Sequence, residues 1–443
     1  MAAYFIYMLE RYFELKKNGT SVRIELIAGL SSFLATMYII VVNPSILSQA
    51  GLPFSGVLTA TVLLSFFCSL MMGVYAKNPL IVAPGMGLNA FFAFTAVKGM
   101  GIPWETALGA VFWSGILFLI LSVLNVRTHL INAIPATLRH AIAVGIGLFI
   151  ALIGFSNAGF IVGNPVTLVG LGSVTNPTVL LFVVGLALTS ILIIKRIPGA
   201  IVISILAVST IFSFGGNLFG AATTGPESWV AAPDFSLLMR LDFTGSFQFA
   251  LWPVIFAFVF TDLFDSLSTF VGVAEAANLK DENGNPRNIR KSLLTDAVAT
   301  TLAGILGSSP GTAYIESAVG IEQGGRTGLT AVVAAFLFLP FMFFSPVLSV
   351  IPTVATAPAL VIVGVYMIRP VIQIDWQDLE EAIPAFLAMI LIPFSYSITQ
   401  GIIWGFLSWT LFKIAQGKFK EISITLLIID ALAILSLLTG IHA

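Results

Sequence analysis

The sequence predicts an all-α polytopic membrane protein of fourteen transmembrane segments arranged as a seven-plus-seven inverted repeat. Three observations predict it. The chain is apolar almost end to end: of 443 residues, 58% are hydrophobic and 9% charged, with a mean hydropathy of +1.02. Soluble domains carry about 25% charged residues. Its basic residues sort to one side of an alternating span pattern. Finally, segments of the two halves echo one another in the same order.

A membrane crossing needs about 20 mainly apolar residues. Candidates lie at 24–43, 55–76, 80–98, 104–125, 136–155, 177–194 and 198–215 in the first half. The second half offers 249–275, 291–307, 310–325, 327–350, 355–370, 380–396 and 398–416. A further apolar stretch, 422–441, is either a fifteenth span or a helix lying at the interface. With the N-terminus in the cytoplasm, alternation puts eighteen of the twenty Lys and Arg residues inside; only Lys98 and Arg240 fall outside. That split obeys the positive-inside rule, and adding or dropping one span scrambles it. The expected location is the cell (inner) membrane, multi-pass. The N-terminal segment lacks the order of a cleavable signal, so the first span is expected to serve as the targeting signal.

Residues 134–147 resemble 351–364, 197–212 can be laid on 399–414, and 84–89 has a partner in 310–317. These fall in the fifth, seventh and third spans of each half. Seven is odd, so the halves run in opposite orientation, as in many secondary transporters. The joint is 216–248, with a short amphipathic patch at 234–243.

Spans three and ten are interrupted. Val82–Phe94 reads "VAPGMGLNAFFAF", and 307–320 reads "GSSPGTAYIESAVG". Pro84 and Pro310 remove backbone donors, and the neighbouring glycines permit extended or left-handed backbone. Irregular backbone at membrane depth persists only where protein or a water-filled cavity covers it. Each break therefore predicts a short extended piece followed by a half-helix. The first runs near 80–84, with its half-helix starting near Leu88. Half-helix N–H groups and the positive dipole end would face a ligand. A proline kink explains one such break as well; two at matching positions, each beside polar residues, favour a binding site.

Buried polar groups supply the chemistry. Asp262, Asp265, Ser266 and Thr269 share one face of span eight. An intramembrane carboxylate costs about 2.5–3.5 kcal/mol on insertion scales and marks a functional site by default. The bland readings are a hydroxyl partner on a neighbouring helix for Asp262, and helix caps for Asn89 and Glu316. Ser32, Thr36 and Asn43 form a stripe on span one that reads as helix–helix contact. Glu275, Asp296 and Asp430 read as interfacial. Tyr314 either stacks on a planar ligand or packs. Nucleic-acid binding has no support, for want of a basic patch. Cys68 is the only cysteine, which excludes an intramolecular disulfide and a cysteine metal cluster.

Residues 83–92 ("APGMGLNAFF"), 262–274 ("DLFDSLSTFVGVA") and 307–333 resemble the AzgA-like purine permeases of the nucleobase:cation symporter-2 family. The resemblance implies a core domain of spans 1–4 and 8–11 (24–125 and 249–350). It implies a gate domain of spans 5–7 and 12–14 (126–215 and 351–416). A cytoplasmic segment (1–23), a linker (216–248) and a C-terminal hydrophobic helix (417–443) complete the chain. It further implies a purine nucleobase between the broken spans, a proton moving with it, no cofactor or metal, and pairing of subunits through gate helices. The candidate substrate-binding set is Thr36, Leu88, Asn89, Asp265, Tyr314, Glu316 and Ser317, with Asp265 and Asp262 for the coupling proton. One departure from the family pattern stands at Ser266-Leu267-Ser268-Thr269, where many members carry a glycine.

Three rivals are weighed. A sulfate- or bicarbonate-type anion transporter of similar fold would avoid carboxylates at its site. An intramembrane aspartyl protease would need a Gly-Asp pair, and none occurs. A channel fits the inverted repeat less well.

The charge split predicts that loop 44–54 is external and loop 280–290 cytoplasmic. In a Cys68→Ser background, a membrane-impermeant thiol reagent on intact cells labels a cysteine at Ser48 and not one at Asn283. Labelling of the second alone would invert the topology, and labelling of both would break the span count.

Overall fold

The computed structural model describes residues 2–124, 135–215, 219, 228–276, 279 and 286–439. Helical elements occupy all fourteen expected intervals. The first half contains α1 (Ala2–Tyr12), α2 (Val22–Thr36), α3 (Ile39–Leu47), α4 (Phe54–Met71), strand β1 (Val82–Pro84) and α5 (Met86–Ala90). It continues with α6 (Trp104–Val123), α7 (Ala136–Asn157), β2 (Ile161–Asn164), β3 (Leu168–Leu171), α8 (Pro177–Ile194) and α9 (Ala200–Gly215). The second half contains α10 (Trp252–Ala276), α11 (Ile289–Leu306), β4 (Gly311–Ala313), α12 (Ala318–Glu322) and α13 (Gly328–Phe338). Then come α14 (Thr353–Met367), α15 (Leu379–Ser395), α16 (Ile398–Ala415) and α17 (Ile424–Thr439).

Among the described residues, six stretches are long and apolar enough to cross a membrane: Val22–Ala50, Phe54–Ala76, Trp104–Val123, Ala136–Asn157, Pro177–Ile194 and Thr353–Gln373. Local chemistry starts several of the helices. Asn176 accepts from the Thr178 N–H ahead of α8, with Pro177 at its first position, and Asp378 does the same for Glu380 in α15.

The helices pack mainly within two sets. In one, α2 and α4 lie against α13, and α6 lies against α11. In the other, α7 packs on α14 and α15, and α15 on α16. Glycine permits the closest approach in the second set: a Cβ at Gly364 would sit 2.6 Å from the Gly147 carbonyl oxygen of α7. The main apolar core runs through both sets, with Phe91 of the first break meeting Phe258 of α10 edge to face at 4.6 Å.

Three expectations need correction. The fold is not wholly helical outside the two breaks: β2 and β3 form an antiparallel hairpin, Ile161 opposite Leu171, between α7 and α8. The strands are short, and Asn164 closes the turn by accepting from the Val166 and Thr167 N–H groups. Asp296 is fully buried rather than interfacial, because its carboxylate takes the Ser266 hydroxyl of α10. Asp430 is likewise buried, within α17; the Glu275 side chain lies outside the described residues.

In the connector, 216–218 and 220–227 lie outside the described residues, as does most of loop 280–290. The patch at 234–243 is a series of turns, pinned by its acidic ends. Asp234 accepts from Ser55 at 2.6 Å, and Asp242 from the Gly245 N–H at 2.9 Å. That N–H holds the Asp242 carboxyl below its usual range.

Two charged networks tie helix ends together. The carboxylate of Glu25, fully buried in the first turn of α2, accepts from the backbone N–H groups of Arg326 (2.9 Å), Thr327 (3.2 Å) and Thr330 (3.1 Å), and from the Thr330 hydroxyl (2.6 Å). It thus satisfies the orphan donors at the start of α13. Arg326 in turn donates to the Ile321 carbonyl at the end of the α12 half-helix (2.6 Å). Arg287 donates to the Arg326 carbonyl (2.5 Å) and to Asn18 (2.6 Å). At the other set of helices, Lys413 of α16 pairs with Glu380, with Glu381 (3.2 Å) and with Glu421 (2.8 Å).

Each unsatisfied buried donor costs about 1–3 kcal/mol. Glu25→Ala leaves the Arg326 and Thr327 N–H groups without their acceptor, while the Thr330 N–H keeps the Thr327 carbonyl at 3.3 Å. It is expected to lower the melting temperature of the detergent-solubilised protein clearly, while Glu25→Gln, which keeps two acceptor lone pairs, does so less. Equal melting curves for wild type and Glu25→Ala would show that the network is dispensable.

Candidate functional site

The two interruptions meet. β1 pairs antiparallel with β4 in the register Val82–Ala313, Ala83–Thr312 and Pro84–Gly311. The ladder is extended at both ends, by Gly85 N–H to the Pro310 carbonyl and Tyr314 N–H to the Ile81 carbonyl, each 2.9 Å. Side chains complete it. The Ser69 hydroxyl lies 3.0 Å from both the nitrogen and the oxygen of Val82, and Ser317 accepts from the Ile81 N–H at 3.0 Å. The Thr300 hydroxyl lies 3.2 Å from the Gly311 carbonyl. Half-helices lead away from both strands: α5 begins at Met86, two residues before the expected start, and a single 3₁₀ turn (Ile315–Ser317) leads into α12.

A cavity of about 400 Å³ opens against this pair. The first break contributes Met86 and Gly87, and the second contributes Thr312 through Glu316. Asp265 and Thr269 reach it from α10, Val363, Tyr366 and Met367 from α14, and Tyr38 from the two-residue gap between α2 and α3. Pockets of this kind, mostly apolar with a few convergent polar groups, suit a small molecule. A second void of about 300 Å³ shares Gly87, Asp265 and Met367, and runs between Thr261 and the α7 residues Ile142, Ala143 and Ile146.

The structure brings together Asp265, Tyr314 and Glu316. The Tyr314 hydroxyl donates to the Pro84 carbonyl, which fixes its ring across the two breaks. Glu316 accepts from the Tyr38 hydroxyl at 2.7 Å. The other expected site residues do not line the cavity. Thr36 donates to the Ser32 carbonyl at 2.9 Å, one turn back on its own helix. Ser317 is used by the Ile81 N–H. Leu88 and Asn89 are fully buried inside the first half-helix, and the Asn89 amide sits 3.7 Å from the Met86 sulfur. Asp262 faces α11, where Thr300 donates to it. The stripe on span one acts as helix contact: Asn43 donates to Thr61 (2.8 Å) and Ser308 (3.1 Å), and accepts from Ser309 (3.2 Å). It so anchors the chain entering β4.

Sequence reasoning missed Tyr38 and the α14 residues. Tyr38 carries one usable signal, since a buried phenol needs a hydrogen-bond partner. Val363, Tyr366 and Met367 sit in a plain apolar run that carries none.

The profile described as "Permease family" matches residues 23–404. The chain is 42% identical over 431 residues to the adenine permease AdeP of Escherichia coli (strain K12), covering 97% of this chain and 96% of that protein. The chain belongs to the AzgA-like permeases. It is also 43% identical over 419 residues to the guanine/hypoxanthine permease PbuO of Bacillus subtilis (strain 168), covering 93% and 96%. In structure, the permease resembles the transmembrane domain of the cyanobacterial bicarbonate transporter BicA, with a TM-score of 0.61 at 18% identity over 89% of this chain and 96% of that one. That likeness concerns the fold alone. The permease is an integral membrane transporter and not an enzyme.

Proposed function

We propose that the permease imports purine nucleobases of the hypoxanthine, guanine and adenine class together with a proton. The observation that carries the reading is the placement of Asp265 and Glu316 on one cavity beside the paired breaks. A purine edge presents donors and acceptors in one plane, and two carboxylates with hydroxyl and backbone groups can read it. The names of the relatives, adenine and guanine/hypoxanthine permeases, support this class.

The proposed architecture is fourteen spans in two inverted sevens, with a cytoplasmic N-terminus in the cell (inner) membrane. Residues 24–125 and 249–350 form the core, and 126–215 and 351–416 the gate. Transport proceeds by alternating access as the core moves against the gate; the packing of helices within two sets supports it. Subunits pair through gate helices. Anion transport, the function of the structural neighbour, fits less well, because two carboxylates on the cavity repel an anion.

Asp265 is assigned as the main proton carrier and Glu316 as the carboxylate that binds the base. Asp262, engaged by Thr300, has at most a supporting part. Asn89, Leu88, Thr36 and Ser317 act on the substrate through the frame they hold, with Tyr314 lying against the ring.

Asp265→Asn mimics the protonated state. In reconstituted vesicles it is expected to bind hypoxanthine within about threefold of wild type, but to lose uptake driven by external acid. Glu316→Gln is expected to weaken binding about tenfold, equal to about 1.4 kcal/mol, because an acceptor becomes partly a donor. Acid-driven accumulation by Asp265→Asn would overturn the assignment. Absence of binding by wild type to any purine of this class would overturn the function.

A further inference from the structure

We propose that Tyr38 is a positioning residue for Glu316, orienting the carboxylate toward the cavity and keeping it in its ionised, accepting form. The inference rests on the reading of Glu316 as the base-binding carboxylate.

The side chain of Tyr38 is fully buried, in the gap where the first span breaks between α2 and α3. Its hydroxyl donates to Glu316 Oε1 at 2.7 Å, the length of a charge-assisted O–H···O⁻ bond. The neighbouring tyrosine cannot take this role. The Tyr38 and Tyr314 rings lie 6.4 Å apart, but the Tyr314 hydroxyl is committed to the Pro84 carbonyl. The two phenols thus divide the work: Tyr314 ties the two strands, and Tyr38 holds the carboxylate.

The surroundings of Glu316 make that donor matter. Among the described residues, no Lys, Arg or His lines the cavity. The titratable groups around Glu316 are Tyr38 from the α2–α3 gap, Tyr314 on its own segment, Asp265 from α10 and Tyr366 from α14, with Arg369 farther off over the Tyr366 ring at 5.4 Å. An anionic Glu316 therefore has a second carboxylate across the cavity and no cation on it. A donated hydrogen bond favours the ionised over the protonated form. It also occupies one oxygen, leaving the other to accept from a ring N–H of the base. Tyr38 further links the first span to the second break, through Glu316 and the Tyr314 ring, so a movement of α2 against that break is felt at the binding carboxylate.

The test is equilibrium binding of radiolabelled hypoxanthine to purified protein between pH 5 and pH 9. Wild type, Tyr38→Phe, Glu316→Gln and the double variant are compared. Tyr38→Phe is expected to weaken binding about tenfold at neutral pH and to move the acid limb of the profile to higher pH. In the Glu316→Gln background the same change should have less than about a twofold effect, because contacting residues are not additive. A profile for Tyr38→Phe that overlays wild type, or an equal loss in both backgrounds, overturns the proposal. Should Tyr38→Phe fail to fold, 3,5-difluorotyrosine placed at position 38 keeps the shape and strengthens the donor. It should move the acid limb to lower pH, and no movement overturns the proposal. Wild type that binds no purine would instead defeat the reading of function on which this rests.

Discussion

Every backbone N–H and C=O inside the bilayer must find a partner within the protein, and the two interrupted segments meet that demand with each other. A lone strand such as β1 could not persist at membrane depth. Opposite β4 it forms a ladder of three register pairs, continued at both ends by bonds of 2.9 Å. Ser69 and Ser317 add hydroxyls to it. The polar residues around the breaks therefore serve first to make irregular backbone tolerable. Only some of them are left over for chemistry.

That division explains which residues reach the cavity. Hydroxyls and amides behind the strands are spent on the frame: Asn43 on Thr61 and the serines before β4, Ser266 on Asp296, Thr300 on Asp262. The groups in front are Asp265, Glu316 and the two tyrosines. A few convergent polar groups on an otherwise apolar wall would suit the planar polar ligand proposed above. Its far wall, Val363, Tyr366 and Met367, belongs to α14, which packs with α7 in the other set of helices. A ligand held there touches both sets, which is the arrangement alternating access requires.

Much of this was legible in the sequence, and the reasons differ by residue. The breaks announced themselves because Pro and Gly clusters are costly in an apolar run unless used. Asp265 and Glu316 stood out because intramembrane carboxylates are rare. Asn89 and Thr36 looked equally promising, since polarity alone does not tell which face of a helix a side chain takes once the helix is broken. The gap at Met37 and Tyr38 has neither Gly nor Pro to mark it, so its tyrosine went unseen. Glu25 and the loop at 325–330 are separated by about 300 residues of chain, and no local pattern joins them. The hairpin at 161–171 was missed because its strands are short and follow a long helix.

The central claim is that the paired breaks form the place where a purine binds. A cryo-EM structure of the permease in lipid nanodiscs with hypoxanthine tests it most directly. The account predicts planar ligand density between Tyr314, Glu316 and Asp265, with β1 and β4 still paired in the register Val82–Ala313. Density for the base elsewhere, or strands that part while the base remains bound, would contradict it.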